Sequence, residues 1–101
     1  ESVRQSIRVI LSTRPGEQLL APEFGVGLQR FLSEPNTLTL RRRIHDLVVD
    51  ALGTFEDRIL LDRVEVNEAP EQPSHIRIEI AYRLRRTGVL QQVGLTLEPG
   101  A

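Results

Sequence analysis

The chain has 101 residues and a net charge of −1, it contains no cysteine, and all 13 of its basic residues are arginine. This length fits one domain, and the near-neutral charge argues against a general polyanion binder. The absence of cysteine excludes disulfides, thiolate catalysis and zinc bound through sulfur, while the absence of lysine excludes Schiff-base chemistry and a phosphate-loop lysine. Functions that depend on a cysteine or lysine side chain are therefore excluded.

The first predicted element is a helix over residues 2–12. Ser2 and Gln5 have the spacing of a capping box, which satisfies exposed amides at a helix start. Turn-forming residues 13–16 follow and end the helix. The apolar side chains recur every three or four residues and share one face: Val3, Ile7, Ile10 and Leu11.

Residues 17–33 have a mixed pattern. Residues 18–21 are predicted as a short strand that ends at Pro22, and residues 24–27 as a tight bend, because two glycines permit backbone angles that other residues avoid. Leu28, Phe31 and Leu32 fit one or two helical turns.

The strongest helical periodicity follows Glu34 and Pro35. Asn36 or Thr37 can cap this helix, which is predicted to run to Leu52 or Phe55. Its polar face carries a run of three arginines, interpreted either as a solvated face or as a protein interface; we select Arg41 and Arg42 as candidate contacts. The apolar positions are Leu40, Ile44, Leu47, Val48, Ala51, Leu52 and Phe55.

The remainder of the chain alternates with a period of two, which is typical of strands. Leu60, Val64 and Val66 are predicted to share one face of the first strand. Helices followed by a meander predict an α+β fold, with two main helices followed by a three-stranded antiparallel sheet. The predicted order is a strand to Val66, a loop over 67–74, a strand over 76–84, a turn at 86–88 and a strand over 89–97.

A three-stranded sheet has two unpaired edges, and these can accept a strand from another chain. Arg83, Arg85 and Arg86 are predicted to blunt one edge. The final strand has little protection beyond Glu98 and Pro99. Its candidate partner contacts are Val89, Gln91, Val93 and Leu95.

Candidate catalytic carboxylates are few. A glycosidase needs two facing carboxyl groups, and only Glu17, Glu23 and Glu34 lie in an irregular segment where such a pair could form. The chain has no tryptophan, one tyrosine and three phenylalanines, which provides little surface for stacking on a sugar. We expect no catalytic residue and no cofactor.

The two histidines do not suggest a metal site. His45 and Asp46 are neighbours on a helix, so their side chains are expected to diverge rather than form a relay. His75 lies at the start of a strand beside a polar loop. Without cysteine, a metal would need mostly carboxylate ligands, and we expect surface histidines and no metal.

Four segments in order resemble the tailed-phage baseplate-wedge family: Ser2–Leu11, Thr13–Glu17, Pro22–Gly25 and Glu34–Thr37. Its relatives include the sheath-initiating subunit of type VI secretion, of phage-tail-like bacteriocins and of toxin-delivery particles. The family's Glu-Pro-Arg-type motif, which engages wedge partners, corresponds to Glu34, Pro35 and Asn36, with asparagine in place of arginine.

The resemblance implies a structural protein that is assembled in the cytoplasm as part of a phage tail, tail-like particle or secretion baseplate. The implied partners are baseplate wedge proteins and a sheath subunit, with no nucleic acid and no direct membrane insertion. Residues 1–101 are expected to form one domain, preceded in the full product by an N-terminal segment. Two alternatives of other classes stay open: a peptidoglycan-cleaving tail lysozyme, and a cytoplasmic anti-adaptor of the same fold.

Overall fold

The computed structural model describes residues 2–13, 27–31 and 33–98. Two helices precede a three-stranded antiparallel sheet, which confirms the predicted α+β fold. The elements are helix α1 (Val3–Ser12), a short 3-10 helix (Leu28–Phe31), helix α2 (Leu38–Phe55), and strands β1 (Ile59–Glu68), β2 (Ile76–Leu84) and β3 (Leu90–Leu97).

Hydroxyl side chains cap both α-helices. The Oγ of Ser2 accepts a hydrogen bond from the amide of Gln5 at 3.1 Å, as the capping-box spacing predicts. The Oγ1 of Thr37 accepts from the amide of Leu40 at 3.1 Å, so Thr37, and not Asn36, caps α2. Helix α2 ends at Phe55, the later of the two predicted positions.

Both helices cover the same face of the sheet. Helix α2 packs on β1, and α1 packs on α2 and on the 3-10 helix. Fully burying one large apolar side chain stabilises a fold by about 1.5–3 kcal/mol, so this layer carries most of the stability. Its most buried members are Ile7, Ile10, Leu11, Phe31, Ile44, Val48, Leu52, Ile78, Ile80 and Tyr82.

A β-bulge in β1 places Leu60 on the other face of the sheet from the one predicted. The pairing of β1 with β2 shifts by one residue between Leu61 and Arg63, which leaves Asp62 without a partner. Before the bulge, Ile59 and Leu61 therefore face the helices. Leu60 lies on the opposite face and is 48% exposed, so the prediction that it shares a face with Val64 is wrong.

The sheet order β1-β2-β3 places β2 in the centre. Arg83 lies on β2, and Arg85 and Arg86 lie in the turn that follows it, so these arginines do not blunt an edge as predicted. The turn itself is confirmed: Gly88 has a φ of 73°, and the amide of Leu84 donates to the carbonyl of Val89 at 3.0 Å. Strand β1 runs two residues further than predicted, to Glu68.

The predicted strand at 18–21 and most of the predicted bend at 24–27 lie outside the described residues. Gly27 is described and has a φ of 63°, the left-handed region that glycine adopts readily. The helical turn predicted from Leu28 is confirmed as far as Phe31. Over the described ranges, no helix has the length and apolar composition needed to cross a bilayer.

Candidate functional site

The entry to α2 is a corner tied to the loop before β2. The side-chain amide of Asn36 donates to the carbonyls of Pro73 at 2.9 Å and His75 at 3.2 Å. In return, Arg41 donates from Nη1 to the Oδ1 of Asn36 and to its backbone carbonyl. Asn36 therefore joins two segments that are 37 residues apart in sequence.

A second arginine supports the same corner. The guanidinium of Arg43 lies 5.0 Å from the centre of the Phe31 ring and 3.5 Å from the carboxylate of Glu34. The ion pair is exposed and contributes little, but the ring contact also orients the arginine. Of the predicted contacts, Glu34, Asn36 and Arg41 thus lie at this corner, whereas Arg42 is exposed on α2.

A mostly apolar cleft of about 230 Å³ opens at this corner. Glu34 and Pro35 form its rim, and Phe31 and Leu97 contribute apolar surface. Because Leu97 ends β3, the cleft connects the predicted Glu-Pro-Asn corner with the end of the last strand. The remaining lining residues are Asn36, Ser74 and Ile76.

The Asn36→Ala variant is expected to lose about 1–3 kcal/mol of unfolding free energy, because it removes both donated bonds and the acceptor of Arg41. Urea denaturation measures this change. Asn67→Ala, at an exposed asparagine on β1, is the matched control and should change stability by less than about 0.5 kcal/mol. Equal effects of the two substitutions would contradict the bridging role of Asn36.

Within residues 2–13, 27–31 and 33–98, no segment pairs with the outer backbone edge of strand β3. Hydrogen-bonded and non-hydrogen-bonded positions alternate along an antiparallel pair. Since Leu84 bonds to Val89, the amides of Gln91, Val93 and Leu95 point towards β2. The amides of the intervening residues point away from the sheet: Leu90, Gln92, Gly94 and Thr96.

The side chains of the four predicted β3 contacts have different environments. Val93 is buried in the core, and Leu95 is half-buried beside it. The Oε1 of Gln91 accepts a hydrogen bond from the Tyr82 hydroxyl at 2.9 Å. Val89 lies just before β3, where it is half exposed, and its carbonyl accepts the hydrogen bond from the amide of Leu84. A partner at this strand would therefore contact mainly its backbone.

The opposite edge of the sheet, on β1, is protected. Strand β1 carries the bulge at Asp62, and the side chains on its solvent-facing side include the charged Arg63 and Glu65. Bulges and charges are the features that natural proteins use to prevent strand addition. Residues 90–97 of β3 contain no charge and no proline, and the register with β2 shows no bulge.

The sequence reasoning missed a buried carboxylate at the C-cap of α2. Glu56 is 4% exposed and accepts hydrogen bonds from the Nε, Nη2 and backbone amide of Arg58 at 2.9–3.1 Å. The Arg58 bonds lower the pKa of Glu56 to about 2; burial opposes this shift, and a hydrogen bond from Ser6 of α1 adds to it. Glu56 thus links both helices to the start of β1 and has a structural role.

No catalytic centre is found among the described residues. They contain no group of three potential metal ligands, and of the three candidate carboxylates only Glu34 is described. The expectation that His45 and Asp46 diverge is wrong: the Nδ1 of His45 lies 3.0 Å from the Oδ1 of Asp46. Free rotation of both exposed side chains permits this contact, but the pair lies outside the cleft.

Comparisons with known proteins agree with the fold. A structure from Geobacter sulfurreducens, described provisionally as a tail lysozyme, is 28% identical, has a TM-score of 0.83, and is matched over 97% of this chain and 88% of its own. A chain of the anti-feeding prophage baseplate is 23% identical with a TM-score of 0.59, over 96% of this chain and 66% of that one, which shows a shared fold. No protein of curated function matches the chain.

A family model described as baseplate wedge protein gp25 matches residues 1–89. The matched segment contains the Glu34–Asn36 corner, α2, β1 and β2, so it includes most of the geometry described above. The chain belongs to the gp25 family of baseplate wedge proteins.

Proposed function

We propose that this protein is a non-enzymatic structural component of the baseplate of a contractile injection system, and that it initiates the sheath by accepting a strand at β3. The observation that carries this proposal is the uncharged, bulge-free edge of β3 beside a protected β1 edge. Backbone hydrogen bonds supply the binding in strand addition. Membership of the gp25 family supports the baseplate role. We propose that the baseplate is assembled in the cytoplasm.

The Glu34–Asn36 corner is proposed to bind wedge proteins. Its support is the apolar cleft rimmed by Glu34 and Pro35, with the exposed Arg42 nearby. Glu34 is 42% exposed, so its carboxylate remains accessible to a partner in spite of Arg43. Glu34→Ala should therefore weaken the assembly of the protein with wedge proteins while it changes the melting temperature little. A variant that melts lower but assembles normally would leave Glu34 with a structural role only.

Gln92→Pro is expected to abolish sheath initiation while the baseplate still forms. Proline removes the outward amide of Gln92, a donor that an added strand needs, and leaves the bonds to β2 in place. The measurement is sheath polymerisation on purified baseplates that carry the variant, followed by electron microscopy.

Gln92→Ala is the matched control for this experiment, because it changes the side chain and keeps the amide. It should initiate sheath at the normal rate. Normal sheath on baseplates with folded Gln92→Pro protein would refute strand addition at β3, and attachment through the arginine-bearing face of α2 would then be the next hypothesis.

The description of the Geobacter relative makes peptidoglycan cleavage the second candidate function. The purified protein is expected not to clear a suspension of cell walls, because the exposed Glu34 is paired with Arg43 and no second described carboxylate faces it across the cleft. Clearing measured by turbidity, and lost in Glu34→Gln, would establish the enzymatic alternative instead.

A further inference from the structure

The outer face of the sheet, opposite the helices, carries an apolar pair at the β2–β3 turn. Leu60 pairs with Arg83, and Arg83 pairs with Leu90, so the three residues form one row across the sheet. Leu60 and Leu90 are 48% and 49% exposed. The two half-exposed leucines flank Arg83 in this row, one on β1 and the other on β3, so together they add apolar surface on both sides of the arginine.

The same end of the sheet is positively charged although the whole chain is not. Residues 83–90 contain three arginines and no acidic residue, whereas the whole chain has a net charge of −1. No described carboxylate forms an ion pair with Arg83, Arg85 or Arg86, and all three are exposed. Arg83 donates only to the carbonyl of Gly88, at 3.3 Å.

On the rest of the outer face, arginines and glutamates form ion pairs with each other. Arg63 lies 3.7 Å from Glu65, and Arg77 lies 3.7 Å from Glu79. Arg77 also donates to the Thr96 hydroxyl at 3.0 Å and lies across Gly94, where a Cβ atom would collide with its guanidinium. Uncompensated charge is therefore concentrated at the turn, together with the two leucines.

We propose that Leu60, Arg83, Arg85, Arg86 and Leu90, here named the hairpin patch, bind an acidic protein segment with two aliphatic side chains. The leucines stand two strands apart, about 10 Å, which is about the span of three residues in a polyproline II conformation, where every third side chain lies on the same side of the chain. A fitting segment therefore has aliphatic residues three positions apart with carboxylates between and beside them. Arginine binds carboxylates through two parallel hydrogen bonds, which suits this arrangement.

A protein segment is favoured over nucleic acid by the apolar half of the patch. Single-stranded nucleic acid binds to basic grooves through stacking on aromatic rings, and the hairpin patch contains none. The proposal concerns the outer face and not the strand edge, so it holds whether or not β3 accepts a strand.

The test uses fluorescence anisotropy with a labelled peptide in which leucines stand three positions apart among aspartates and glutamates. We expect the triple variant R83Q/R85Q/R86Q to bind it at least about tenfold more weakly, because three charge pairs are lost. The variant R4Q/R8Q removes two charges from exposed helix positions and should bind within about twofold of the unchanged protein, whereas R83Q/R85Q, with the same change in charge, should bind clearly more weakly.

Two further arms separate the patch from general electrostatic attraction. L60S/L90S should weaken binding about tenfold, and so should a peptide with serine in place of leucine. Circular dichroism establishes that each variant is folded. Equal loss in R4Q/R8Q and R83Q/R85Q, equal binding of the serine peptide, or tighter binding of an oligothymidylate of equal length would each overturn the proposal.

Discussion

Proline in place of Gln91 is expected to unfold the domain, whereas proline at the adjacent Gln92 is expected to leave it folded. The amide of Gln91 bonds to β2, and its side chain accepts from the buried Tyr82 hydroxyl. Proline at this position removes both hydrogen bonds, and its ring clashes with the neighbouring strand. The free energy of unfolding should therefore fall by about 3 kcal/mol or more. The amide of Gln92 points away from the sheet, so its loss should cost about 1 kcal/mol.

Urea denaturation of the two purified variants measures this difference directly, and Gln91→Ala and Gln92→Ala supply the side-chain controls. Similar midpoints for both proline variants would show that the assigned alternation of amides along β3 is wrong. In that case a sheath defect of Gln92→Pro would report unfolding, which is why the stability measurement must precede the assembly experiment.

Removing the charge of Glu56 is expected to destabilise the fold by about 3 kcal/mol near neutral pH. The hydrogen bonds from Arg58 lower the pKa of Glu56 from its ordinary value of 4.5 to about 2 in the folded protein, which corresponds to roughly 3 kcal/mol in favour of the charged form. Glu56→Gln leaves Arg58 and Ser6 without their anionic partner in a site that is 4% exposed. Glu65→Gln, at an exposed ion pair with Arg63, should change stability by less than about 1 kcal/mol.

The stabilisation by Glu56 has a defined pH dependence. Because folding depresses its pKa, the contribution is complete above about pH 4.5 and is lost as the pH falls from there to about 2. The difference in unfolding free energy between the unchanged protein and Glu56→Gln should therefore shrink over this range. A difference that stays constant down to about pH 2 would contradict the lowered pKa.

The helices could be predicted from the sequence because their signals are local. Helix α2 buries one continuous face, so Leu40, Ile44 and Val48 produce a regular pattern, and Ser2 at the start of α1 has its capping partner three residues away. Whether Asn36 or Thr37 caps α2 depends on residues far away in the sequence. Carbonyls 37 and 39 residues away engage Asn36, and these become neighbours only in the folded chain.

The first strand shows the same limit. A bulge is a property of two paired strands, so the reversal of Leu60 could not be derived from β1 alone. Glu56 was missed for a related reason: a single glutamate after a helix has no distinguishing pattern, and its burial depends on Arg58 and on Ser6 from the other helix. Of the candidate contacts, Glu34, Asn36 and Arg41 do lie together, which the helix-entry sequence suggested.

Because of the bulge at Asp62, only one edge of the sheet is suited to accept a further strand. A sheet with two equivalent edges could be extended on both sides and so could join copies into an open-ended ribbon. Here β1 is irregular and charged while β3 is regular and uncharged, so each copy offers a single place for growth. Each copy can therefore add at most one strand, and backbone pairing through the sheet can join no more than two copies.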